Sequence, residues 1–159
     1  MGEIYGIKGL KRHYDREDIA KSYEKLRFTS LPGEIEHFIG IKLINKIIQK
    51  EKPNLLLEIA TGPGRLTKDI KLYDKGIGID SSAKMLKLAR RNVNNPNWRF
   101  IKSDIIRMPF KNNSFDMAVS FKLLLHFNLN ERKKAYKEVK RVLKKNSLFI
   151  FDIGNKNYK

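Results

Sequence analysis

Three carboxylates and a glycine turn stand out in a chain that is otherwise poor in acids. Glu58 opens the segment Glu58-Ile59-Ala60-Thr61-Gly62-Pro63-Gly64, Asp80 follows it 22 residues later, and Asp104 lies further on. Glycines in such a turn let the backbone approach a ligand closely, and a helix start offers N–H groups that lack intrahelical acceptors. A carboxylate at the end of the next strand is placed to meet ribose hydroxyls. Spacing disfavours two nucleotide-phosphate readings. A dinucleotide loop needs G-x-G-x-x-G, but Gly62 and Gly64 are followed by Thr67 where the third glycine belongs. A P-loop ends in Gly-Lys-Ser/Thr, whereas Gly64 leads into Arg65-Leu66. His126 could act as a base, yet a histidine after a buried strand is more often structural, and it stays outside the catalytic set.

Composition narrows the classes further. The chain has no cysteine, which removes disulfide scaffolds, Cys-based zinc sites and thiol nucleophiles. No apolar run approaches the roughly 20 residues of a membrane span, and no apolar signal core opens the sequence. A cytoplasmic protein is expected. Lys and Arg number 34 against 17 Asp and Glu, a net charge of +17. That balance suits a nucleic-acid partner or an anionic surface. Its spread over every segment favours ordinary solvated helix faces. Residues 132–145 are the densest basic run, with Glu138 the one acid among them.

The elements that must position these residues can be read from periodicity. Residues 1–14 show little of it and are expected to form a mobile arm. A helix is expected from Asp15 to Phe28, broken by Leu31-Pro32-Gly33. A second, over 34–50, carries Ile35, Phe38, Ile39, Leu43, Ile47 and Ile48 at helical spacing and ends at Pro53. A buried strand over 55–60 then enters the glycine turn. Helices are expected over 65–73, over 82–93 with Ser81 as N-cap, and over 129–143. Further strands are expected over 76–80, 98–102, 115–121 and 148–153. Strands alternating with helices predict a doubly wound, Rossmann-like α/β fold. Its mostly parallel sheet has about five strands. The expected organisation is a single domain, with residues 1–33 an N-terminal arm and lid helix and 34–159 a cofactor-binding core.

In that order, the motifs resemble the class I S-adenosylmethionine-dependent methyltransferases, in the ubiquinone- and menaquinone-biosynthesis-like branch (methyltransferase type 11). LLLEIATGPGRLT is similar to the first motif, with Ala60 where a glycine is usual. GIGIDSSAKMLKLAR is similar to the second, and FIKSDIIRMPFKNNSFDMAVSF to the third and fourth. HFNLNERKKAYKEVKRVLKKNSLFIFDI resembles the helix and fifth strand that follow. The resemblance implies S-adenosylmethionine as cofactor. It implies that the backbone at Ala60, Gly62 and Gly64 cradles the methionine part, with Glu58 beneath. Asp80 would take the ribose hydroxyls, Ser81 and Met85 would flank the adenine, and Asp104 with Ile105 would hold its edge. Ser120 and Phe121 would lie near the sulfonium, and Tyr23 would close over the cofactor.

Methyl transfer from a sulfonium is an in-line displacement on an activated donor, so positioning can supply most of the acceleration. A base is needed only where the acceptor must lose a proton. The Asn- or Asp-Pro-Pro-aromatic motif that the family uses for exocyclic amines of bases is absent, because the fourth strand ends Val119-Ser120-Phe121-Lys122. A small-molecule acceptor is expected; other RNA positions stay open, as does a basic nucleic-acid-binding or regulatory module without activity. Family members continue after the fifth strand with a helix and two more strands. This sequence stops at Lys159, so a homodimer through the exposed strand 148–153 is expected, with slow turnover on small, open acceptors.

Overall fold

A computed structural model describes residues 6–16, 18, 19 and 31–152. Helix α1 (Gly6–Tyr14) is followed by α2 (Leu31–Glu51), β1 (Leu55–Ile59), α3 (Arg65–Asp69), β2 (Lys75–Asp80) and α4 (Ala83–Asn92). Then come β3 (Trp98–Lys102), β4 (Phe115–Ser120), a 3-10 turn (Leu124–His126), α5 (Leu129–Val142) and β5 (Leu143–Phe151). The strands form one parallel sheet in the order β3-β2-β1-β4-β5. This is the doubly wound arrangement expected from alternating strands and helices.

Alternation along the strands divides the core between two faces. Leu57, Ile59, Ile79, Phe115 and Ala118 pack with Ala135, Val139 and Val142 of α5 and with Leu10 of α1. Leu56, Met117 and Val119 point the other way, to Ile44 and Ile48 of α2, Leu66 of α3 and Val93. Every strand of a parallel sheet covered on both faces reads as an apolar run, which is why β1 and β4 are legible.

Several boundaries differ from expectation. The N-terminal arm contains a helix, α1, with Leu10 buried. The triplet Leu31-Pro32-Gly33 begins α2, where a first-turn proline forfeits no intrahelical bond; the helix it is expected to break lies mostly outside the described residues. Of the periodic apolar residues on α2, Ile48 is buried, while Ile35, Phe38, Ile39 and Leu43 face outward. Helix α4 is capped by Ser82, whose hydroxyl accepts from the Met85 N–H, and not by Ser81. Strand β5 begins at Leu143, straight from α5, and the ladder shifts register between Phe115 and Met117. Most of the expected helix 15–28, including Tyr23, and the tail 153–159 lie outside the described residues. No helix among the described residues is long and apolar enough to cross a membrane.

Candidate functional site

Sheet register brings the chemistry-bearing residues to one level. Ile59 of β1 pairs with Ile79 of β2 on one side and Ser120 of β4 on the other. Asp80 lies beside Lys102 of β3, and Ser120 beside Phe151 of β5. The loops that follow therefore leave the same end of the sheet. Strand order reverses between β1 and β4, and ligands of open α/β sheets bind in the crevice at such a point.

The turn after β1 is tightly held. Ala60 has φ 60°, Gly62 φ 55° and Gly64 φ 83°. For Ala60 this left-handed conformation costs roughly 1–2 kcal/mol. The Thr61 N–H donates to the Ile79 carbonyl at 3.0 Å, and the Gly64 N–H to the Thr61 carbonyl at 3.0 Å. A Cβ on Gly62 would meet nothing within 4 Å, so the space above that residue is open. One on Gly64 would lie 2.7 Å from Val93 Cγ2, so Gly64 serves the approach of the turn to α4.

Beneath the turn, Glu58 is buried. The Thr67 hydroxyl donates to Glu58 Oε2 at 2.6 Å and lies 2.6 Å from the Thr61 hydroxyl. With its single proton committed to Glu58, Thr67 must accept from Thr61. Burial pushes the Glu58 carboxyl up to about 7 against the lowering effect of Thr67 and Thr61, and the Asp80 charge adds to the rise. Asp80 clasps the turn to β2: its Oδ2 accepts from the Gly62 N–H at 2.9 Å and its Oδ1 from the Ser82 N–H at 2.8 Å. Burial raises its pKa, opposed by these backbone donors.

Two joined clefts surround these groups. The first is lined by Ala60, Gly62, Asp80, Ser81, Met85, Asp104, Ile105 and Phe121, and is covered by Ile7, Leu10, Lys11 and Tyr14 of α1. Lys11 forms an ion pair with Asp104, and the Ser82 hydroxyl donates to the Tyr14 carbonyl at 2.8 Å. Beneath α1 the free space is about 90 Å³, below the roughly 300–1,000 Å³ of small-molecule sites. The second cleft, of about 550 Å³, runs from Glu58, Ala60, Thr61 and Gly62 toward Glu36, Ile39 and Gly40 of α2 and Asp152. Phe121 and Lys122 line both clefts. The Phe121 ring packs close against Gly40, where a Cβ would approach it to 2.8 Å.

Most of the residues singled out in the sequence therefore meet in one place. Glu58 lies on the floor of the second cleft, whereas Gly64 packs behind the turn and lines neither. Ser120 is buried, and its hydroxyl has no hydrogen-bond partner among the described residues. It lies at the end of β4 next to Phe121 but, like Gly64, lines neither cleft. Met85 and Ile105 are mostly core, with only an edge on the cleft. Helix α1 is what sequence reasoning missed. Ile7, Leu10, Lys11 and Tyr14 share one helical face by spacing, a signal diluted by the interspersed glycines and basic groups.

The chain is similar to known proteins in sequence and fold. The Methyltransferase domain family matches residues 57–151. An uncharacterised protein of Methanocaldococcus jannaschii is 37% identical over 150 residues, covering 92% of this chain and 52% of that protein. A demethylmenaquinone methyltransferase of Thermotoga maritima is 33% identical over 158 residues, covering 96% and 65%. In fold, the chain is similar to a putative S-adenosyl-L-methionine-dependent methyltransferase of Methanococcus maripaludis. The TM-score is 0.72 with 21% identity, over 89% of this chain and 64% of that one. The chain spans about half to two thirds of the length of these proteins.

Proposed function

This chain belongs to the methyltransferase-domain family of class I, S-adenosylmethionine-dependent enzymes, and from that premise we propose that it binds S-adenosylmethionine across the two joined clefts and methylates a small-molecule acceptor. The observation that carries the reading is the convergence of the open turn at Ala60–Gly62 with Asp80 and Asp104 around one crevice at the strand-order reversal.

Chemistry assigns the parts. Asp80 offers its carboxylate to ribose hydroxyls. Asp104 and Ile105, with Ser81 and Met85, suit an adenine: a carboxylate for its amine, apolar surface for its faces. The turn at Ala60 and Gly62 receives the amino-acid portion above Glu58. Phe121 lies where the clefts meet, and Ser120 precedes it at the end of β4. Bound there, S-adenosylmethionine supplies a methyl group on a sulfonium, already activated for displacement. What the chain contributes is alignment, water exclusion and a fixed approach along the second cleft, a form of catalysis that yields effective molarities up to ~10⁵–10⁸ M. Glu36, Ile39, Gly40 and Asp152 then form the acceptor side. A cytoplasmic setting and a second copy paired along the outer edge of β5 complete the proposal.

Calorimetric titration with S-adenosylmethionine and with its demethylated product tests it directly. Both should bind the wild-type chain, and Asp80→Ala should weaken each by at least tenfold. No heat for either ligand at millimolar concentration would remove this reading.

A further inference from the structure

We propose that the outer face of α5, together with the exposed end of β5, is a binding surface for single-stranded RNA, independent of whichever small molecule is methylated. The basic residues of this region divide into two kinds. Arg132 donates to the Leu124 carbonyl, and Arg141 is spent on Glu138 and on the carbonyls of Met108 and Phe110. Lys144 pairs with Asp116. By contrast Lys133, Lys134, Lys137 and Lys140 are exposed and pair with no described acid. Lys133, Lys137 and Lys140 recur at spacings of four and three, so they share one face of the helix. They span about 10 Å of helix axis at 1.5 Å per residue, so one backbone can contact all three.

A solvated helix face needs no aromatic residue, but this one has a cluster. Tyr136 sits within the lysine stripe at 37% exposure, beside Phe151 of β5, also 37% exposed. Their ring centroids are 5.6 Å apart, and Phe149 lies 4.9 Å from Phe151 and 6.3 Å from Tyr136. The core-facing residues of α5, Ala135, Val139 and Val142, are buried, so these rings form an outer apolar platform. Every base has a face that can stack on such rings, while the adjoining cations hold the backbone; this pairing of features is how single strands are bound without sequence readout. The acids of the neighbourhood do not cancel the charge. Glu131 caps α5, Glu138 holds Arg141, and Asp116 holds Lys144. Asp152, the residue after β5, lines the second cleft, so a strand lying on this platform runs toward the mouth of the site.

The test is fluorescence anisotropy with a labelled 12-nucleotide oligouridine on the full chain. Affinity should fall about twenty- to fiftyfold between 50 and 200 mM salt, as expected for three to four phosphates at roughly −0.7 per contact. Replacing Lys133, Lys137 and Lys140 together with Ala should flatten that dependence. Tyr136→Ala with Phe151→Ala should weaken binding about tenfold at every salt concentration and leave the slope unchanged. Tyr136→Phe, which keeps the ring, should bind like wild type and shows that a loss is not misfolding. Undetectable binding at 50 mM salt would overturn the proposal. So would duplex and single strand binding alike with no effect of Tyr136→Ala, or lysine-dependent binding of phosphatidylserine vesicles without oligonucleotide binding. Cofactor titrations of the same variants should be unaltered, which separates failure here from failure of the methyltransferase reading.

Discussion

The buried carboxyl of Glu58 gives the site a pH signature of its own. An acid whose pKa is raised on folding binds its proton more tightly in the native state, so its contribution favours folding at low pH and is lost as pH rises from about 4.5 to about 7. At one pKa unit per 1.36 kcal/mol, the ionised form costs on the order of 3 kcal/mol. Glu58→Gln keeps an oxygen to accept from Thr67 and removes the ionisation. The variant should therefore melt about 5–10 °C above wild type at pH 8 and nearly with it at pH 5. Equal gaps at both pH values would refute the assignment. Glu58, Asp80 and Asp104 were legible because carboxylates at strand ends are conspicuous in a chain this basic. The choice between Ser81 and Ser82 as helix cap was not. Both hydroxyls have the right chemistry, and the cap is the one that the fold brings to the Met85 N–H, Ser82 at 3.3 Å.

At the scale of elements, α1 is both the largest surprise and the most testable. Strands β1 to β4 and helix α5 could be read from local periodicity, because each buries its face against neighbours that are themselves regular. The partner of α1 is a cleft assembled from the ends of four strands, and no local pattern announces such a surface. Two hydrogen bonds and an ion pair fasten the helix: the Ile7 N–H donates to Glu131 Oε1 at 2.9 Å, the Ser82 hydroxyl donates to the Tyr14 carbonyl, and Lys11 pairs with Asp104. A nucleoside entering the first cleft must displace Lys11 from Asp104 and push the helix outward. Lys11→Ala removes the competitor and widens the space, while a partly exposed pair is worth at most about 1 kcal/mol to stability. Product affinity should rise about three- to fivefold in calorimetry, with the melting temperature changed by no more than a few degrees. Weaker binding would show that Lys11 belongs to the bound state.

For the whole molecule, charge and edge act against each other. The outer edge of β5 has no strand partner among the described residues, and Leu148 and Phe151 are exposed on it. Unpaired edges of this kind invite pairing. Two copies each carrying a net charge of +17 repel, and salt screens that repulsion over a Debye length of about 10 Å at 0.1 M. Self-association through β5 should therefore strengthen between 50 and 300 mM salt, opposite in sign to polyanion binding. Light scattering that gives a monomer at both concentrations throughout the micromolar range would dispose of the dimer.

The pairing of β1 with β4 also bears on time. Leu56 lies opposite Met117, 61 residues further along the chain, and such distant parallel contacts are slow to form. A chain that has assembled only β1, β2 and β3 already presents Asp80 and Asp104, but it lacks Ser120 and Phe121 and hence the crevice itself. A ligand that needs the crevice cannot template the early steps, and it stabilises only the state that exists after β4 has docked. In stopped-flow chevrons, saturating demethylated cofactor should slow unfolding and leave the refolding rate unchanged. Acceleration of refolding by the ligand would mean that the pocket forms before its fourth wall.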